Sequence, residues 1–236
     1  SQWNQSTDAP AYFSTLAEEL GLDLETYQAC VDSGEKEAQI AQGVAEAQAL
    51  GFSGTPSFNI VRDATNDAYH LVGAQPYEQF AAVLDAFIAG ETPQVAQEGN
   101  GDSGGDGEIP YWATTEGLQP DPDNPGYTMA GDEYRGNPDA GVVVVEFSDF
   151  QCPYCRRHTT ETQPALDEQF VDTNKVLWVF KNFPLTIHPQ APDAAVAAEC
   201  AGDQGKFWEM SDLLFSDPGS WSFDKPQSVF SSYAQQ

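Results

Sequence analysis

Residues 142–155 read VVVVEFSDFQCPYC, an apolar run that passes into a CxxC pair, Cys152 and Cys155. The run Val142 to Phe147 suits a strand covered on both faces. A cysteine at the first turn of the following helix meets unpaired backbone N–H groups and the positive end of the helix dipole, both of which favour thiolate. Cys152 falls at that place. Pro153 suits the first helical position, where its missing N–H costs nothing, and Cys155 turns back to within disulfide reach. Cys152 is therefore expected to attack and Cys155 to resolve, with Tyr154 between them. An inert structural disulfide is the plain alternative. Half a zinc site is another, but Cys30 and Cys200 are solitary and His70, His158 and His188 lack ligand spacing, so no metal is expected.

Glu146 lies inside the apolar strand, where burying a carboxylate is costly unless it has a task. Beneath the dithiol it would take a proton from Cys155 through a water; a solvent-facing edge position is the alternative. Arg156, Arg157 and His158 follow on the first helical turns, either favouring the thiolate or forming a solvated face.

Outward from this stretch, Val176 to Phe180 reads as a second covered strand, giving strand, helix, strand. Helices follow at Ala191 to Gly202 and Lys206 to Phe215, and a short last one near Gln227 to Ala234. Upstream, residues 91–137 read as a Gly-, Pro- and Asp-rich linker, including the Gly-rich stretch 99–107, with Tyr111 and Trp112 as anchors or a partner site. Residues 1–90 give helices at Pro10 to Leu20, Asp23 to Val31 and Glu35 to Leu50, then a hairpin, Ser57 to Val61 and Tyr69 to Val72, around a turn at 63–67. A helix from Pro76 to Ile88 closes this part. Gly54-Thr55-Pro56 enters the first hairpin strand; a cis bond there would expose Thr55 for pairing with an extended peptide. The ends echo one another weakly, Trp3, Pro10, Phe13 and Ala17 against Trp221, Pro226, Phe230 and Ala234, which suggests a long repeat.

With 40% hydrophobic and 12% aromatic residues the 236-residue chain can bury a sizeable core. Its formal charge of −28 argues against nucleic acid or an anionic membrane surface as partner. Solubility in an exported or salt-exposed protein is the reading that charge favours. No run of apolar residues is long enough to span a membrane, and Ser1 to Asn4 does not resemble a signal peptide, so an export signal or anchor would be removed or lie outside this chain.

Residues 144–155, Ala198-Glu199-Cys200-Ala201-Gly202 through Trp208, and Gly54 through Phe58 together resemble the DsbA-like thiol-disulfide oxidoreductases. The resemblance implies an α/β, thioredoxin-like fold with a helical insertion, and disulfide exchange outside the cytoplasm with cysteine-containing proteins and a redox partner protein, soluble or membrane-bound, with no bound cofactor. It implies Cys152 as nucleophile, Cys155 as its partner, Glu146 as buried acid, Pro56 as cis proline and Thr55 as its pairing neighbour. The order departs from the family: residues 138–236 resemble its first half and residues 1–90 its second. The domain is then circularly permuted, part of a tandem protein, or assembled from half-domains exchanged with a second copy. In any assembled form Cys30 and Cys200 fall in the helical insertion, which implies a structural disulfide, two free buried cysteines being the alternative. Tyr154, rather than a cationic residue, implies a less oxidising dithiol than the strongest oxidants of this type. The rival reading is a non-catalytic accessory module of a cell-surface or membrane-associated assembly.

Overall fold

The computed structural model describes residues 9–62, 67–93, 111–114 and 116–222. Its helices are Ala9–Glu19 (α1), Leu24–Ser33 (α2), Glu35–Ala49 (α3), Tyr77–Ile88 (α4), Pro153–Arg157 (α5), Gln163–Leu166 (α6), Ala191–Gly202 (α7) and Phe207–Ser216 (α8). Its strands are Ser57–Arg62 (β1), Asp67–Val72 (β2), Tyr134–Gly136 (β3), Val142–Ser148 (β4) and Leu177–Asn182 (β5). The expected last helix near 227–234, the Gly-rich stretch 99–107, turn residues 63–66 and one member of each pair in the terminal echo lie outside the described residues.

The strands form one sheet in the order β2-β1-β4-β5-β3. β4 and β5 run parallel, with Val145 opposite Val179, and β1 pairs antiparallel with β4, with Phe58 opposite Glu146. Strands from both flanks of the Gly- and Pro-rich stretch therefore share one hydrogen-bonded sheet. Alternation along β4 sends Val142 and Val144 to one face, with Phe58, Phe80, Leu84, Leu166 and Trp178, and Val143, Val145 and Phe147 to the other, with Ala47, Phe52, Trp112 and Leu177. Both faces are covered, as the unbroken apolar run requires.

A separate helical layer of α1, α2, α7 and α8 encloses Phe13, Tyr27, Phe207, Met210 and Trp221. Asp23 caps α2 by accepting from the Thr26 N–H at 2.7 Å. Cys30 on α2 and Cys200 on α7 form a disulfide within the chain, their Cα atoms 5.8 Å apart. At the seam, a Cβ on Gly43 of α3 would lie 2.4 Å from the Asn182 carbonyl oxygen, so only glycine allows α3 this close to β5.

The second part of the expected linker is folded. Trp112 and Leu118 are buried, and the Trp112 ring lies 5.7 Å from that of Phe147; Tyr111 is exposed. Tyr134–Gly136 adds an edge strand to β5. The prolines and aspartates that read as tether here make turns instead: Asp121 Oδ1 accepts from the Asp123 N–H and Oδ2 from the Asn124 side chain.

The helix after the CxxC is also less regular than expected. α5 passes into π-helical His158–Thr162, then α6, then π-helical Asp167–Val171. Pro164 lacks the N–H that would continue an α-helical ladder, and the Gln163 N–H bonds the His158 carbonyl, five residues back.

Candidate functional site

Cys152 is the N-cap residue of α5, with extended backbone (φ −74°, ψ 123°) and Pro153 at the first helical position. The parallel pairing of β4 with β5 ends at Ser148, so the chain turns into α5 at the edge of the covered core. Cys155 is fully buried and Cys152 is 3% exposed; both are free thiols. Cys152 opens on a hollow of about 250 Å³ whose walls include Phe150, Pro153, Arg156 and Pro218. Tyr154 stands exposed beside it.

Thr55 and Pro56 arrive from the other flank of the chain. The Thr55–Pro56 peptide is cis, and the Cys152 thiol donates to the Thr55 carbonyl at 3.4 Å. Thr55 stands just before β1, outside its ladder. The Cys152 pKa is lowered to about 6, first by the hydrogen bond from Cys155, then by the Thr55 side chain, not its carbonyl, and by the N–H groups of Cys155 and Tyr154, while burial opposes the shift. Burial and the neighbouring Cys152 push Cys155 well above the usual thiol range. The pair thus consists of one poised thiolate and one protonated thiol, the arrangement an attacking and a resolving cysteine need.

The two arginines act elsewhere. Arg156 donates to the Phe215 and Ser216 carbonyls at the end of α8, and Arg157 to the Ala74 carbonyl. His158 is buried against Phe58, Phe80 and Trp178, and burial lowers its pKa, so it brings no cation to the thiols. Glu146 is buried at 4% exposure; its Oε2 accepts from Trp178 Nε1 at 3.0 Å and its Oε1 has no partner among the described residues. It shares a sheet face with Ser148, two residues nearer the dithiol. Cys30 and Cys200 are in the helical layer, whose buried cluster also takes in Cys152 and Cys155.

Asp149 and Gln151 escaped the sequence reading. Asp149 Oδ1 accepts from the Gln151 N–H at 2.8 Å, and Oδ2 accepts from the Leu185 N–H at 2.8 Å and His188 Nδ1 at 2.7 Å. The Gln151 amide makes a double hydrogen bond with Gln190. An aspartate at a strand-to-helix turn was the available signal. Its partners, more than thirty residues on, were not.

In comparison with known sequences, residues 2–85 match a family described as a DSBA-like thioredoxin domain and residues 128–236 match one described as Thioredoxin. The Na(+)/H(+) antiporter NhaA 1 of Salinispora arenicola is 48% identical over 89 residues, covering 37% of this chain and 13% of that protein. A putative protein-disulfide oxidoreductase of Rickettsia bellii is 34% identical over 91 residues, covering 39% of this chain and 34% of that protein. The chain thus spans far less than two thirds of either relative. Among solved structures, Wolbachia pipientis alpha-DsbA1 gives a TM-score of 0.38 at 23% identity, covering 51% of this chain and 55% of that one. BdbD from Bacillus subtilis gives 0.35 at 28% identity, covering 44% and 54%.

Proposed function

We propose that this chain, whose residues 2–85 match a DSBA-like thioredoxin domain and whose residues 128–236 match a family described as Thioredoxin, exchanges disulfides with cysteines of other proteins outside the cytoplasm, through Cys152 and Cys155. The observation that carries this reading is the Cys152 thiol at the start of α5, 3.4 Å from the Thr55 carbonyl, with its pKa held near 6. In the reducing direction the Cys152 thiolate attacks a substrate disulfide, forming a mixed disulfide and releasing one substrate thiolate. Cys155 then loses its proton and attacks the Cys152 sulfur, closing the Cys152–Cys155 disulfide and releasing the second thiolate. The reverse sequence oxidises a dithiol. Thr55, beside Pro56, offers backbone to an extended substrate chain, and Tyr154 a ring at the rim. Glu146 accepts the Cys155 proton through a water, a role its unpartnered Oε1 supports.

The halves close on each other within one chain as a permuted domain, a reading that their shared sheet and the Cys30–Cys200 disulfide fit. A Cys30–Cys200 disulfide in the same chain as a free CxxC fits an extracytoplasmic location. No described helix is long and apolar enough to cross a membrane.

The test is insulin reduction by freshly reduced protein. Turnover in the parent and none in Cys152→Ser is expected, while Cys155→Ser should accumulate a mixed disulfide. A second reading, an accessory module of a membrane protein, draws on the stretch shared with an antiporter, a small part of that protein. No turnover in the parent, with Cys152→Ser indistinguishable from it, would favour that module.

A further inference from the structure

Asp149 is buried, with its side chain at 0% exposure, three residues before the nucleophile. Its carboxylate holds three donors: the Gln151 N–H within the turn, and the Leu185 N–H and His188 Nδ1 from the connection after β5. Its carbonyl accepts from the Cys152 N–H at 3.0 Å. Its own N–H points at Cys155 Sγ, 3.4 Å away. Every polar group of this residue is thus engaged, and the one that faces the dithiol is a donor.

That donor acts on the group that most needs one. Cys155 is buried and its thiol is held protonated, yet it must become a thiolate to resolve a mixed disulfide. A hydrogen bond to a charged sulfur is worth more than one to a neutral thiol, so the Asp149 N–H stabilises Cys155 at the moment of attack. A turn N–H keeps its aim only if the turn cannot rotate. The carboxylate prevents rotation by bonding both its own turn and the 185–188 connection, which Gln190 ties again to Gln151.

We propose that Asp149 is a positioning residue for the resolving step: pinned by His188 and Leu185, it holds its N–H on Cys155 and speeds closure of the Cys152–Cys155 disulfide. The proposal rests on the thiol exchange argued above. In balanced form, Cys152–S⁻ and R–S–S–R give Cys152–S–S–R and R–S⁻. Cys155–SH then gives up its proton, through a water, to the Glu146 carboxylate, forms the bond to Cys152 sulfur and expels the second R–S⁻. The dithiol loses two electrons and the reagent gains them.

The experiment is stopped-flow reaction of the fully reduced protein with 5,5′-dithiobis(2-nitrobenzoic acid), which releases one coloured thiolate per step. In the parent both steps are expected, the second following promptly. In Asp149→Ala the first step should keep its rate within about twofold while the second slows at least about tenfold, the loss expected for one charge-assisted hydrogen bond. His188→Ala removes one of three donors and should slow only the second step, by a smaller factor; it serves as the milder variant should Asp149→Ala fold poorly. Equal slowing of both steps, or an unchanged second step in a folded variant, overturns the proposal. Absence of the first step in the parent instead sinks the thiol-exchange reading itself.

Discussion

The Cys152 thiol lies 3.4 Å from the carbonyl oxygen of Thr55, 97 residues earlier in the chain. The environment of this thiol is therefore made by two distant segments, and its reactivity depends on their closure. Alkylation of Cys152 by iodoacetamide should follow a thiolate titrating at about pH 6, with Cys155 silent. Mass spectrometry of the modified peptide after a pH series checks both points. A midpoint at the ordinary thiol value would remove the Thr55 and Cys155 contributions.

The same shift links redox state to stability. A thiol lowered from 9.0 to about 6 in the folded state contributes stability that is present above pH 9 and lost as pH falls through 6. Only the reduced form has it. The melting temperature of the oxidised protein minus that of the reduced should therefore grow as pH falls from about 9 to 5. Cys155, raised above that range, adds a nearly constant amount within it and leaves the trend to Cys152. A gap independent of pH in parallel thermal scans would contradict the assignment.

The Cys30–Cys200 disulfide closes a loop of 170 residues between α2 and α7. Removing it by Cys30→Ser should cost about 2–5 kcal/mol, chiefly through the freed unfolded chain. Urea unfolding measures the cost, and a disulfide map at monomer mass checks that the bond is within the chain. A variant as stable as the parent would deny the staple.

Lys181 is buried at 1% side-chain exposure between Glu46 (2.7 Å) and Asp132 (2.5 Å), and also faces the Trp112 ring. Lys181→Met would leave two carboxylates without their cation, at a cost of about 3–5 kcal/mol near pH 8. The loss should shrink near pH 5, because burial already raises Asp132 to about 6 and a protonated carboxyl needs no partner. Equal losses at both pH values would show that packing, not charge, is at stake.

Glu199 is fully enclosed, accepting from Asn182 at 2.6 Å and Gln39 at 2.9 Å, and faces Glu133, Asp132, Asp203 and Lys36. Burial raises it to about 7, opposed by Lys36 and assisted by Asp132 and Asp203; Glu133 is raised as well, again by burial. A carboxyl raised in the folded state adds stability below its unfolded value of 4.5 that is lost as pH rises through 7. Glu199→Gln should flatten the decline in melting temperature between pH 5 and 8. An unchanged slope would mean the group does not titrate there.

Much of this was legible in the chain. The apolar run Val142 to Phe147 required a strand covered on both faces, and CPYC at its end required a helix start, because both follow from periodicity and local backbone chemistry. Ala191 to Gly202 and Pro76 to Ile88 announced themselves by their apolar faces. The folded part of 111–136 did not, since prolines and aspartates mark turns in compact loops and tethers alike, and only burial of Trp112 and Leu118 separates the two. Nor did the π-helical turns after Arg157.

What the sequence determined was the chemistry that neighbours in the chain can fix: two cysteines on one helical turn, a proline that starts it, and a glutamate in an apolar strand. Tertiary structure alone decided what surrounds them. Thr55 reaches Cys152, His188 reaches Asp149 and Glu146 meets Trp178 through sheet register and loop closure, which depend on distant residues. The arginines beside the dithiol turned to backbone carbonyls instead, because the ends of neighbouring elements lie within their reach.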